Sequence, residues 1–191
     1  MKRIFSFLAA VIILAACGNN EQKTDETKKT SDTTAVAGDT TISTAGTANS
    51  DEIVASYLEL KNALAADDSR EAARAAKKLN NLIGDFGSAS LTAEQKTVYE
   101  KVKAEAEEHS SHISDNGDNI KHQRSHFEML TFDVLDLVRV VKPGQALYLD
   151  HCPMYNDKKG AVWLSETKEI KNPYYGKEML TCGTIREEIK P

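Results

Sequence analysis

The chain has 191 residues, with 24 Lys and Arg against 29 Asp and Glu, a formal net charge of −5, 5 His and 3 Cys. A mildly acidic balance with no basic block excludes an electrostatic nucleic-acid binder. No phosphate-cradling glycine loop, zincin helix or G-x-S-x-G elbow is present, so the common nucleotide, zinc-protease and hydrolase signatures are missing too.

Lys2 and Arg3 precede an apolar run, Ile4 to Ala16, that is too short to span a bilayer comfortably. It ends in Leu14-Ala15-Ala16-Cys17. This pattern resembles a bacterial lipoprotein signal, which implies that 1–17 is a signal peptide and that Cys17 is lipidated. The protein is then a cell-envelope protein held to the membrane by its N-terminal lipid. Asn19 in place of Asp favours the outer membrane, facing the periplasm or the cell surface. Residues 18–50 are rich in Thr, Ser, Asp, Lys and Gly, without an aromatic residue. They cannot bury enough surface to offset the entropy of ordering, and read as a disordered tether. Residues 51–191 suffice for one domain.

Four helices are expected first. Ser50 is placed to cap a helix over 51–66 with Ile53, Tyr57, Leu60 and Leu64 on one stripe. Asp68 or Ser69 opens a second, with Ala72, Ala76, Leu79 and Ile83 inward, stopping near Gly84 and Gly87. Thr92 with Gln95 forms a capping box for a third, 93–114. The Asp115–Asp118 stretch breaks it. A fourth, 119–141, ends before Pro143, with Ile120, Phe127, Leu130, Val134, Leu137, Val138 and Val141 inward. Residues 145–150 and 161–164 then read as the strands of a hairpin around a turn at 156–160. A further turn falls at 172–176, and 179–185 returns extended. The expected fold is mainly α: a bundle of about four helices with a small C-terminal β-hairpin appendage over 145–191.

His109 and His112 share one face of the third helix, and His122 and His126 one face of the fourth. Folded as an antiparallel hairpin, the two helices set His112 level with His122, and His109 level with His126 one turn away. All four point at the seam between the helices, with Met129 nearby. They read either as half-buried histidines with satisfied hydrogen bonds or as imidazole ligands.

Cys152 with Met154, and Met179 with Cys182, form two short clamps of soft donors, which select Cu(I) and related ions; zinc more usually takes Cys and His alone. His151 sits beside the first clamp. Outside the cytoplasm an even pair of Cys is equally the mark of a disulfide, here Cys152–Cys182. An enzyme with Cys152 as nucleophile is not expected. His151 would point to the opposite face of a strand, and no oxyanion-hole glycine pattern accompanies it.

Several stretches between His109 and Ile185 resemble a bacterial envelope family named only as domain of unknown function 3347. They are His112-Ile113, His122-Gln123-Arg124, His126-Phe127, Cys152-Pro153-Met154, Trp163-Leu164-Ser165, the 172–176 run Asn-Pro-Tyr-Tyr-Gly, and 179–183. Related segments accompany adaptor subunits of heavy-metal efflux pumps, which implies copper or a similar soft ion and a metal-efflux or metal-donor partner. The adaptor's own barrel and hairpin do not occur here. On that resemblance the ligands are Cys152, Met154, Met179, Cys182, His112, His122 and His126, with His109, His151 and Met129 secondary. Cu(I) is the expected ion, with zinc as an alternative, and the thiols should be free and of low pKa. Seven ligands exceed what one Cu(I) ion takes, so either two sites exist or some residues are outer partners. Arg124 is left between a salt bridge to Glu128 and a role in orienting appendage carbonyls.

Overall fold

A computed structural model of the chain describes residues 45–191. The lipoprotein signal, Cys17 and the tether up to residue 44 lie outside the described residues. Four helices come first: α1 (Ala45–Ala65), α2 (Ser69–Gly84), α3 (Ala93–Asp115) and α4 (Ile120–Val141). Three strands follow, β1 (Leu147–Cys152), β2 (Ala161–Ser165) and β3 (Thr184–Ile189). The sheet has order β2-β1-β3, and both pairings are antiparallel.

The helix starts follow local chemistry. The Asp68 carboxylate accepts from the Glu71 N–H at 2.9 Å, and Thr92 and Gln95 make the reciprocal capping box. Asn119 caps α4 by accepting from the His122 N–H. The exception is α1. It begins at Ala45, ahead of the expected Asp51, so Ser50 is a buried residue inside the helix and not its cap.

The third strand is also displaced. Met179–Cys182 was expected to be extended, but it forms a turn in which the Cys182 N–H donates to the Met179 carbonyl at 3.0 Å. The chain becomes a strand only at Thr184. Asn172 decides this. Its side-chain amide donates to the Cys182 carbonyl at 2.7 Å, its own N–H donates to the Leu180 carbonyl, and its Oδ1 accepts from Tyr174 and Tyr175. The 172–176 run therefore fixes the 179–182 turn by capturing its carbonyls.

The sheet is no loose appendage. Trp163, Leu164, Leu147 and Cys152 are fully buried and share one apolar core with Tyr57, Leu60, Phe127 and Leu130 of the helices. Burial of this kind is the main favourable term in folding. The Leu164 N–H donates to Tyr57 Oη, which also bonds Thr131, and Tyr57 stacks on Phe127. No helix among the described residues is long and apolar enough to cross a membrane.

Candidate metal centre

The histidines meet across the α3–α4 seam. His109 Nδ1 lies 3.2 Å from His126 Nδ1, and the His112 and His122 ring centroids are 6.0 Å apart. These are the two rungs that counting outward from the 115–118 break anticipates. The rungs also touch each other. The His112 ring stacks on His126 at 4.3 Å with an interplanar angle of 2°, and His122 lies 4.6 Å from His126. His112, His122 and His126 can each offer a ligand atom within 4.8 Å of the others, and are the only such group of three His, Cys, Asp or Glu among the described residues. His112 is exposed, and His109, His122 and His126 are half-buried. Burial first, then the neighbouring imidazoles, holds His126 below the ordinary histidine pKa; burial does the same for His109. Both shifts favour the neutral imidazole, the form that binds metal.

The sulfur residues gather elsewhere. Cys152, at the end of β1, and Cys182, in the turn before β3, are free thiols with Sγ atoms 3.7 Å apart. Two ligands each about 2.3 Å from one ion at the tetrahedral angle stand about 3.8 Å apart, so this spacing suits a shared ion. Met154 follows Cys152 by two residues and Met179 precedes Cys182 by three, and both are exposed, at 42% and 36%. The expected low thiol pKa does not hold at Cys182. Burial and the adjacent Cys152 push it up, and no cation among the described residues acts on it to favour the thiolate. A bound metal ion would supply that charge itself.

His151 belongs to neither group. Its Nδ1 bonds Arg186 at 2.9 Å, and its ring lies over Gly160. On β1 it alternates with Cys152, so the two side chains leave opposite faces. Met129 is exposed on α4, on the histidine side of the helix.

Arg124 takes the second of its expected roles. Its guanidinium donates to the carbonyls of Pro173 at 2.7 Å and Leu64 at 2.9 Å, and pairs with Asp67 at 2.7 Å, not with Glu128. Asp67 in turn accepts from the Lys177 N–H. Arg124 thus ties α4 and the end of α1 to the loop that delivers Cys182. Gly176 passes over this ion pair at φ 54°, where a Cβ would overlap the Asp67 carboxylate. Residues the sequence reading passed over also stand here. Tyr175 donates from Oη to the Met154 carbonyl at 3.0 Å, and burial, followed by the nearby Cys152 and Cys182, pushes its phenol pKa up. Its place in the 172–176 run was the only signal for it.

Residues 53–146 match the family described as protein of unknown function (DUF3347). The DUF3347 span takes in α1 from Ile53 through α4 and holds His109, His112, His122, His126 and Arg124. It stops before β1, so Cys152, Met154, Met179 and Cys182, on which the 109–185 resemblance leaned most, lie beyond it. No curated protein and no solved structure matches the chain.

Proposed function

We propose that this is a lipid-anchored cell-envelope protein that binds a soft transition-metal ion, Cu(I) foremost, for sequestration, delivery or tolerance. The observation that carries the reading is the pair of free thiols 3.7 Å apart, each with an exposed methionine two or three residues away in the chain. Thiolate and thioether donors together select Cu(I) over zinc, calcium or magnesium. Exposure of Met154 and Met179 leaves the ion within reach of a donor or acceptor protein, such as a metal-efflux component. The N-terminal pattern ending at Cys17 supplies the membrane attachment.

The test is a thiol count with a Cu(I) titration against a competing chelator, on the full chain purified without reductant. Two reactive thiols and one tightly held Cu(I), lost in the Cys152→Ser/Cys182→Ser variant, are expected. The closeness of the two sulfurs also suits a second reading, a non-catalytic interaction module with a Cys152–Cys182 disulfide. That reading predicts no reactive thiols, no metal, and a stability that falls on reduction by about 2–4 kcal/mol.

A further inference from the structure

We propose that His112, His122 and His126 form a second metal site, separate from the thiol pair, for a borderline divalent cation such as Zn(II). The inference does not rest on the Cu(I) reading of the sulfurs.

The separation comes from α4 itself. Arg124, Phe127 and Glu128 carry the contacts from this helix to the sheet side: Arg124 to Pro173, Phe127 to Tyr174, and Glu128 to Asn156. At about 100° per residue these three point within roughly 50° of one direction. His122 and His126 point the opposite way, into the seam with α3. The thiols lie on the sheet side, so the thickness of the helix, roughly 10 Å, stands between the two donor sets. One ion cannot use both. This resolves the excess of ligands that the sequence presents.

The donor chemistry then sets the ion. Three imidazoles with neither thiolate nor thioether suit Zn(II) or copper, not the oxygen-seeking Ca(II) and Mg(II), and without a sulfur donor nothing in the set favours Cu(I) over Zn(II). Three imidazole nitrogens around zinc stand about 3.3–3.4 Å apart, whereas these lie within 4.8 Å. Closing the difference is a side-chain movement. The His112 ring, stacked parallel to His126, cannot share an in-plane ion with it and must turn aside. It is exposed and free to do so. The backbone beneath is held by the Asn119 cap and the bond from the Asn116 side chain to the His112 carbonyl.

His109 supplies the fourth part as a positioning residue. The 3.2 Å contact between the Nδ1 atoms of His109 and His126 requires one to carry the proton. With the proton on His126, His109 accepts it and the His126 Nε2 lone pair is left for the ion. Ligating histidines characteristically donate their other ring N–H in this way. Three protein ligands fill three of the four positions zinc takes, and the fourth faces solvent beside exposed His112, open to water or an incoming ligand.

The experiment titrates the untagged full chain with Zn(II) by calorimetry and with Co(II) by absorption. One equivalent of Zn(II) is expected, with Co(II) ligand-field bands and no thiolate charge-transfer band. The Cys152→Ser/Cys182→Ser variant should bind Zn(II) within about twofold of wild type. His112→Ala/His122→Ala should lose more than the roughly 10- to 100-fold that His109→Gln costs, with His109→Gln keeping the stoichiometry. On the wild-type chain, ring nitrogen-15 shifts should move at His126 Nε2 and leave Nδ1 protonated, a readout that needs no variant to fold. No Zn(II) binding, or loss of binding in the cysteine variant, would overturn the inference. Zn(II) binding without Cu(I) binding would remove the sulfur reading and leave this one standing.

Discussion

Replacing Arg124 by Ala should destabilise the domain by about 3–4 kcal/mol. The Pro173 carbonyl, in a buried position, loses its only donor among the described residues, which costs about 1–3 kcal/mol. The Leu64 carbonyl keeps the Asp67 N–H as a partner, so its lost bond costs about 1 kcal/mol. The Asp67 pair is 13% and 34% exposed and adds at most about 1 kcal/mol. For a domain of this size the sum lowers Tm by roughly 10 °C. Thermal unfolding followed by circular dichroism reads it, with Arg124→Lys as the comparison. A lysine reaches one acceptor at a time and should recover less than half of the loss. The same variant should weaken Cu(I) binding, because the loop that presents Cys182 loses its tie to α4. A Tm within about 2 °C of wild type would refute the claim that Arg124 organises that loop.

Gly176→Ala should cost about 1–3 kcal/mol, from its positive φ and from overlap with Asp67 and Arg124. A double-mutant cycle with Arg124→Ala should give a sum smaller than the two separate losses. Asp150 is fully buried with both oxygens unbonded, and burial raises its pKa to about 7. The neighbouring Trp163 Nε1 favours the ionised form slightly without making a hydrogen bond. The folded chain therefore holds this proton between about pH 4 and 7 while the unfolded chain releases it, and stability falls as pH rises through that window. Asp150→Asn should match wild type near pH 4 and exceed it at pH 8 by on the order of a few kcal/mol, read by urea unfolding at both values. Asp133, also raised to about 7 by burial, adds a fall of the same sign that the variant leaves in place. Cu(I) at about a hundred times its Kd should add about 2.7 kcal/mol to stability, and Cys152→Ser should abolish the gain.

What the sequence made legible was whatever depends on neighbours in the chain. The starts of α2 and α3 were readable because Asp68 and the Thr92–Gln95 box satisfy backbone groups within three residues, and that of α4 because the 115–118 stretch breaks the helix before it. The pairing of His109 with His126 followed from counting along two helices away from one break. The stacking of His112 across the rungs did not, since it depends on side-chain rotation. The third strand was misplaced because Met179–Cys182 is apolar enough to resemble a strand, while the real one carries Arg186, Glu187 and Glu188 on an exposed edge. What overrode the pattern was Asn172, seven to ten residues away, taking the carbonyls that a strand would have shared. The pairing of Arg124 with Asp67, and of buried Lys61 with Glu166 across more than a hundred residues, was opaque for the same reason. Their partners are brought in by the fold, and nothing in their local sequence names them. The division of the candidate donors into two sets is likewise argued from which face of α4 meets the sheet.

The most direct test of the central claim is X-ray absorption at the copper edge of the Cu(I)-loaded full chain. Copper surrounded by sulfur scatterers alone, with that signal lost in Cys152→Ser/Cys182→Ser, is the result predicted. A copper shell of nitrogen scatterers, unchanged by removing both cysteines, would contradict it and move the function to the histidine seam.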